Sequence, residues 1–194
     1  MNIINPKMLY YGFPVVLLTT LNSNKTTNIT PISSSWVLGN NVIIGISTES
    51  RAYENLIINK GLVLNIADSS LWSRVEAISR YTGKEDVPIY KKNMGYRYAA
   101  DKFSIGEFTP EKSMVVEPLR IKECNLQIEC IVEKINNRDG YAIVELKVQT
   151  VHAKEEIILE DEYINPKLWD PLIYNFRSYH GLSKQLGINF KGNK

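Results

Sequence analysis

The 194-residue chain suits one domain with a substantial core, and its 44% hydrophobic and 23% charged residues argue against a disordered or fibrous protein. Its 23 basic and 21 acidic residues leave a formal charge of +2, far below the concentrated basic surface that a phosphate-backbone interface needs, so no nucleic acid partner is expected. The longest strongly apolar run, Phe13 to Leu18, is much shorter than the roughly 20 residues that span a bilayer, and the N-terminus carries no basic region with a small-residue cleavage site, so a cytoplasmic location away from the membrane is expected.

Phe13 to Thr20 is a continuous apolar and β-branched run with its proline near the start, which predicts a strand buried on both faces. After the polar turn NSNK at 22–25, Thr26 to Thr30 returns as its antiparallel neighbour. Three serines and a tryptophan follow Pro31, and GNN at 39–41 makes a turn before NVIIGIS at 41–47, where Val42, Ile44 and Ile46 alternate with smaller residues. Ser50 is an eligible N-cap for a helix in RAYENLIINK, with Tyr53, Leu56 and Ile57 at helical spacing and Gly61 as its stop. LVLNIA at 62–67 predicts another buried strand. DSSLWSRVEAISRYTG predicts a second helix, capped among Asp68 to Ser70, with Leu71, Trp72, Val75 and Ile78 on one stripe and Gly83 at its end.

Residues 84–113, rich in Lys, Asp, Gly and Tyr, show no sustained period and predict a long excursion with at most short helical turns. Regularity resumes in a hairpin of Leu119 to Glu133 and Tyr141 to His152, joined through NNRDG at 136–140, whose Asp139-Gly140 pair suits positive φ. A tail from about residue 165 carries a turn at Asn165-Pro166, a predicted short helix from Pro171 to Phe176, and a polar end. In ECNLQIEC, Cys124, Leu126, Ile128 and Cys130 alternate onto one strand face, opposite Asn125, Gln127 and Glu129. Six residues of extended chain put the two cysteines about 20 Å apart, too far for a disulfide, so they read as core hydrophobes in a reducing compartment. Six or seven strands with two short helices predict a mainly β, antiparallel, closed or nearly closed barrel over residues 1–194 as a single domain. No run of βαβ units and no G-x-G-x-x-G after a strand supports a Rossmann domain.

Two stretches can carry chemistry. In NITPISSSW, residues 28–36, hydroxyls on a barrel wall each need a partner, because an unpaired buried hydroxyl costs about 1 to 3 kcal/mol. A polar ligand along the strand would supply one and Trp36 would offer a flat apolar surface; a polar turn bonded to its own backbone is the plain alternative. In STESRAYENL, residues 47–56, a hydroxyl-rich strand end leads into a helix with Arg51 in its first turn, a combination that suits a phosphate. The plain alternative there is an N-cap beside a solvated arginine.

The order FPVVLLTT, turn, NITPISSSW, NVIIGIS, SRAYENL, Gly61 and LVLNIA resembles the flavin reductase-like family of FMN-binding split barrels, which includes flavoredoxin. YTGKEDVP, NMGYRYAADKF, LRIKECNLQIEC and SYHGLSKQLG are similar to one branch of it, so the resemblance runs over about residues 10 to 188. It implies a homodimer of split barrels with FMN near the subunit interface. The segment Asn28 to Trp36 would follow the ribityl chain and the pyrimidine edge, with Thr30, Pro31, Ser33, Ser34, Ser35 and nearby amides in contact. Ser47 to Asn55 would hold the phosphate through Ser50 and Arg51, with Tyr53 and Asn55 as further candidates; many relatives carry Thr where this chain has Tyr53. Donors near N1 and the C2 carbonyl would stabilise a reduced flavin and shift its potential.

What the resemblance implies for activity is electron transfer from NADH or NADPH through bound FMN to free flavin, a quinone, iron or a partner protein. An FMN-loaded electron carrier reduced by a redox protein is the alternative; an enzyme related to pyridoxamine phosphate oxidase is a third, for which the basic phosphate-binding residues are hard to locate. Nicotinamide C4 and flavin N5 carry the hydride, so no catalytic side chain is expected. No metal site is expected either, since His152 and His180 lack neighbouring ligand patterns. His152 reads as structural, and His180 as a surface residue or one that borders the cofactor. Tyr90, Tyr96 and Tyr98, interleaved with Lys91, Lys92 and Arg97, read as packing residues on a solvated loop or as a lid.

Overall fold

The computed structural model describes residues 1–160 and 163–187, so the polar end of the tail lies outside the described residues. The run FPVVLLTT divides at Val15 into β1 (Tyr11–Pro14), part of a small outer sheet, and β2 (Val16–Leu21), buried along its whole length. Val15 turns away because its amide donates to Leu172 O at 2.7 Å and its carbonyl accepts from Ala67 N at 3.1 Å. Then come β3 (Thr27–Ile32), β4 (Ser35–Leu38), β5 (Asn41–Ser47), α1 (Arg51–Ile58) and β6 (Gly61–Ile66). A 3-10 turn capped by Asp68 enters α2 (Trp72–Ser79), and the excursion holds only α3 (Ile89–Asn93), α4 (Lys102–Ile105) and two-residue ladders. The long hairpin of β7 (Leu126–Asn137) and β8 (Tyr141–Ala153) turns through Gly140, at φ +76°.

These strands make one antiparallel sheet ordered β3-β2-β6-β7-β8-β5-β4. Its outermost members, β3 and β4, are consecutive in the chain and only Ser33 and Ser34 separate them. The three Cα steps from Ile32 to Ser35 reach about 11 Å at most, so the sheet must curl until its edges approach at that end. The serines therefore form the seam of a barrel.

Side-chain alternation along β2 serves two cores. Leu18 enters the barrel with Ile44, Leu62, Leu64, Cys130 and Leu146, whereas Leu17 packs outside it with Ile29, Val75, Ile78, Phe108 and Leu172. Each such side chain contributes about 1.5 to 3 kcal/mol on burial. That is why the strand reads as continuously apolar.

Several local expectations are corrected. α1 buries Ala52, Asn55 and Leu56 while Ile57 is exposed, and the helix stops at Asn59 in extended backbone, so Gly61 opens β6 instead of ending the helix. Leu71, Val75 and Ile78 form the buried stripe of the second helical segment, and Trp72, about 100° further round, is exposed. Gly83 lies beyond a parallel ladder of Tyr81–Thr82 with Arg97–Tyr98.

The first strand of the long hairpin starts at Leu126, because Arg120–Ile121 pairs with Pro110–Glu111 and Cys124 sits in a turn. Both cysteines are free and buried, one in each core. Gln127 and Glu129 are buried as well, bonded by the loops that cover them. The segment predicted as a helix at 171–176 is a β-hairpin of β9 (Ile173–Asn175) and β10 (Ser178–His180), which adds to β1. Phe176 and Arg177 close it at φ 44° and 71°, a tight turn made without glycine.

Candidate functional site

A cleft of about 570 Å³ lies against the seam. Its walls come from the end of β3 (Thr30, Pro31, Ile32), the seam residues Ser33 and Ser34, and the β5–α1 corner (Ser47, Ser50, Arg51). Opposite stand Val75, Glu76 and Ser79 of α2, Thr82 and Gly83, Lys91 and Tyr96 of the excursion, Lys102, and Tyr174, Arg177 and Tyr179 of the C-terminal hairpin. An adjoining, mostly apolar cleft of about 480 Å³ shares Tyr10, Ser33, Ser34 and Gly45, and adds Ser35, Trp36, Leu9 and Phe13.

The seam is held by the backbone as well as by covalent continuity. Gly45 N donates to Ser34 O at 2.8 Å, and Tyr10 Oη lies 3.1 Å from Ser34 Oγ. A Cβ on Gly45 would stand 3.2 Å from Ser34 Cβ, which explains a glycine in the middle of β5.

At the β5–α1 corner, Ser50 is a true N-cap: its Oγ accepts from Tyr53 N at 3.1 Å and donates to Ser47 O at 2.7 Å. Ser50 and Arg51, at the N-terminal end of α1 where a helix dipole is positive, both line the cleft. Arg51 Nε donates to Gly83 O at 2.9 Å, and its Nη1 meets Glu54 Oε2 at 2.8 Å. Glu54 also pairs with Lys84 at 2.7 Å. Arg51 is thereby fixed in direction while remaining about one third exposed, at 31%.

Seven of the sequence-predicted residues, Thr30, Pro31, Ser33, Ser34, Ser47, Ser50 and Arg51, converge on the larger cleft, and Ser35 and Trp36 line the adjoining one. Asn28 lies behind the wall, where its Nδ2 donates to Thr30 Oγ1 at 3.0 Å. Tyr53 packs against the barrel core and donates to Asn137 Oδ1 at 2.9 Å. Asn55 is buried and donates to Thr20 Oγ1 and Asn22 Oδ1, both at 2.9 Å, tying α1 to the first hairpin.

Of the loop residues, Lys91 and Tyr96 line the cleft, while Tyr90 and Tyr98 are exposed. His152 bonds Glu129 at 2.7 Å, away from the cleft, and His180 pairs in register with Ile173 beside the cleft-lining Tyr179.

Lys102 escaped sequence reasoning. It is 4% exposed and donates to Ile29 O at 2.6 Å and to Asn28 Oδ1 at 3.3 Å. Burial, and then the charge of Lys91, pushes its ammonium down to about 7. The available signal was its place at i+3 in Ala99, Lys102, Phe103, Gly106, a small and apolar helical stripe in an otherwise polar loop. Glu76 was also missed; it accepts from Tyr179 Oη at 3.2 Å on the far wall. Among the described residues no group of three or more His, Cys, Asp or Glu is placed to hold a metal ion, and no helix is long and apolar enough to cross a membrane.

Comparison with known proteins agrees with this architecture. The chain is 46% identical over 191 residues to the Bacillus subtilis (strain 168) protein described as uncharacterized protein YdfE, covering 97% of this chain and 92% of that one. It superposes on flavoredoxin of Desulfovibrio vulgaris (Miyazaki F) with a TM-score of 0.82 at 16% identity, covering 100% of each chain. Flavoredoxin from Methanosarcina acetivorans gives 0.80 at 20% identity, covering 100% of this chain and 97% of that one. The fold is the split barrel of the flavin reductases. Residues 8–183 match the flavin reductase like domain, and the chain belongs to that family.

Proposed function

We propose that the cleft binds FMN and that the protein is an oxidoreductase passing electrons from NADH or NADPH through the bound flavin to a second acceptor. The observation that carries this reading is convergence: the serine seam and the Ser50–Arg51 corner, 17 positions apart in sequence, line one cleft. Its volume of about 570 Å³ falls within the range of small-molecule sites, about 300 to 1,000 Å³. The corner offers the N-terminal end of a helix and the guanidinium donors of Arg51 not used by Gly83 and Glu54 to a phosphate, and the seam offers hydroxyls and backbone groups to a polar chain or ring edge. FMN supplies the redox chemistry; the residues of the chain bind and orient it and place donors where negative charge develops.

A homodimer is part of the proposal. β4 is an outermost strand whose Trp36, Val37 and Leu38 are 58%, 60% and 73% exposed, and Trp36 lines the adjoining cleft. An unpaired apolar edge of this kind calls for cover, and a second copy would place that cover beside the flavin. The second reading is an FMN-loaded carrier reduced by a protein partner, favoured by the full-length likeness to the two flavoredoxins.

The test is an absorption spectrum of protein reconstituted with FMN and desalted, followed by anaerobic NADH and then NADPH. Retained flavin that bleaches rapidly supports the reductase and names its donor. Retained flavin that does not bleach supports the carrier, and loss of all flavin contradicts FMN as a tightly held cofactor.

A further inference from the structure

Lys102 is a buried amine for whose charged form the described residues provide no counter-charge. Both of its hydrogen-bond acceptors, Ile29 O and Asn28 Oδ1, are neutral oxygens. None of the ion pairs among the described residues includes it. An ammonium taken out of water without an anion carries a penalty of several kcal/mol, and it escapes by losing its proton or by gaining an anion.

The groups around it do not supply one. β3 presents Asn28 and Ile29, neither ionisable. α2 presents Arg74, committed to Gly106 O at 2.7 Å and to Glu123, and Arg80, which lies 3.9 Å from Glu76. Glu76 itself lines the cleft but accepts from Tyr179 and Ser79. The excursion adds Lys91, a further cation on the same cleft, and on its own helix Asp101 is occupied in capping Ser104 N at 3.1 Å.

What does face Lys102 is the cleft, next to Arg51. Gly83 joins the two: a Cβ placed there would stand 2.3 Å from Asn28 Oδ1 and 3.1 Å from Arg51 Cγ, and Gly83 O accepts from Arg51 Nε. Arg51 and the Asn28 oxygen that Lys102 bonds therefore both lie against Gly83. We propose that Lys102 is a proton-coupled anchor, which takes a proton from solvent when an anionic oxygen of the flavin enters the cleft and which holds that oxygen through the resulting ammonium. The inference rests on the flavin-binding reading and adds to it a proton that binding or reduction must move.

Calorimetric titration with FMN at pH 8, in buffers of different ionisation heat, counts that proton. At this pH a phosphate monoester, with its second pKa near 6, and ordinary histidines are already deprotonated, so neither competes. Wild type should take up about one proton per FMN, and Lys102→Met and Lys102→Arg should each take up about one fewer. Lys102→Arg stays charged and should retain affinity between pH 7 and 9, where wild-type affinity falls by up to about tenfold per pH unit.

Uptake with FMN but not with riboflavin identifies the phosphate as the anion. Uptake that appears only when the bound flavin is reduced, seen as a potential steeper by about 30 mV per pH unit, identifies the ring. Proton counts equal in all three proteins under both conditions, or zero in wild type throughout, overturn the proposal while leaving flavin binding intact. Failure of wild type to bind FMN overturns the flavin reading, and this inference with it.

Discussion

Two buried ionisable groups, Glu129 on β7 and Lys102 on α4, have opposite surroundings. Glu129 is fully buried on β7, yet its carboxylate accepts from the amides of Met114, Val115 and Val116 at 2.8, 2.7 and 3.1 Å, with His152 at 2.7 Å and Arg120 at 3.9 Å. Lys102 has two neutral acceptors and an open cleft. Burial raises the Glu129 carboxyl, but these donors more than offset it and hold it below the usual range, whereas nothing offsets burial at Lys102. A charge answered entirely by its own chain fastens a loop to the barrel; a charge left unanswered beside a cleft waits for a ligand.

Removing the answered charge should have the largest effect. Glu129→Ala strands three amides and the His152 ring nitrogen, and should destabilise the fold by about 3 to 5 kcal/mol in denaturant titrations. FMN affinity per folded molecule should stay at the wild-type value. A change below about 1 kcal/mol would contradict the role of Glu129 in fastening the 114–116 loop to the barrel.

The pH dependence sharpens it, with opposite signs. Glu129, its pKa depressed in the fold, contributes stability that is present above its unfolded value and is lost as pH falls through the folded one. Lys102 is depressed too, so its penalty is full below about 7 and fades as pH rises toward the unfolded value of about 10.4. Flavin-free protein should therefore gain about 2 kcal/mol from this group between pH 7 and 8.5, at 1.36 kcal/mol per unit. Lys102→Met should flatten that rise without the collapse expected of Glu129→Ala. Parallel stability curves for wild type and Lys102→Met would contradict the assignment.

Gly83→Ala should cost about 1 to 3 kcal/mol, because its Cβ would clash with Asn28 Oδ1 and displace the Asn28 amide, whose Oδ1 accepts from Lys102 and whose Nδ2 donates to Thr30. Thermal unfolding with and without FMN should show loss of both stability and binding. Smallest is Ser34→Ala, which removes the contact with Tyr10 Oη and should cost about 0.5 to 1.5 kcal/mol. Paired with Ser35→Ala it should also weaken FMN binding and lower the flavin potential, as spectroelectrochemistry would measure.

Much of the barrel was legible because its signals are local. β2, β5 and β6 appear as apolar runs between turn residues, and β3 returns after the polar turn where the sequence placed the first hairpin. Where a turn lacks its usual residues, the reading failed: Phe176 and Arg177 take positive φ without glycine or asparagine, so a hairpin passed for a helix. Ile57 and Trp72 failed differently, since hydrophobicity marks a helix face only when a neighbour is there to cover it.

The site divides the same way. Composition marked the serines, Ser50 and Arg51 as candidates and the family resemblance assigned them roles, but the wall opposite is built from α2, the excursion and the C-terminal hairpin, segments far apart in sequence. Lys102 was hidden because a lysine among lysines and tyrosines reads as solvated; only the packing of Ile29, Asn28 and α4 reveals its burial.

The central claim is that the seam and the Ser50–Arg51 corner hold one flavin, phosphate at the corner. Its most direct test is fluorescence titration of FMN and of riboflavin onto wild type and Arg51→Ala, with unfolding curves to establish that both are folded. Arg51→Ala should lose about 1.5 to 3 kcal/mol of FMN affinity, while riboflavin should bind the two proteins equally. Equal FMN affinity in both folded proteins would contradict it.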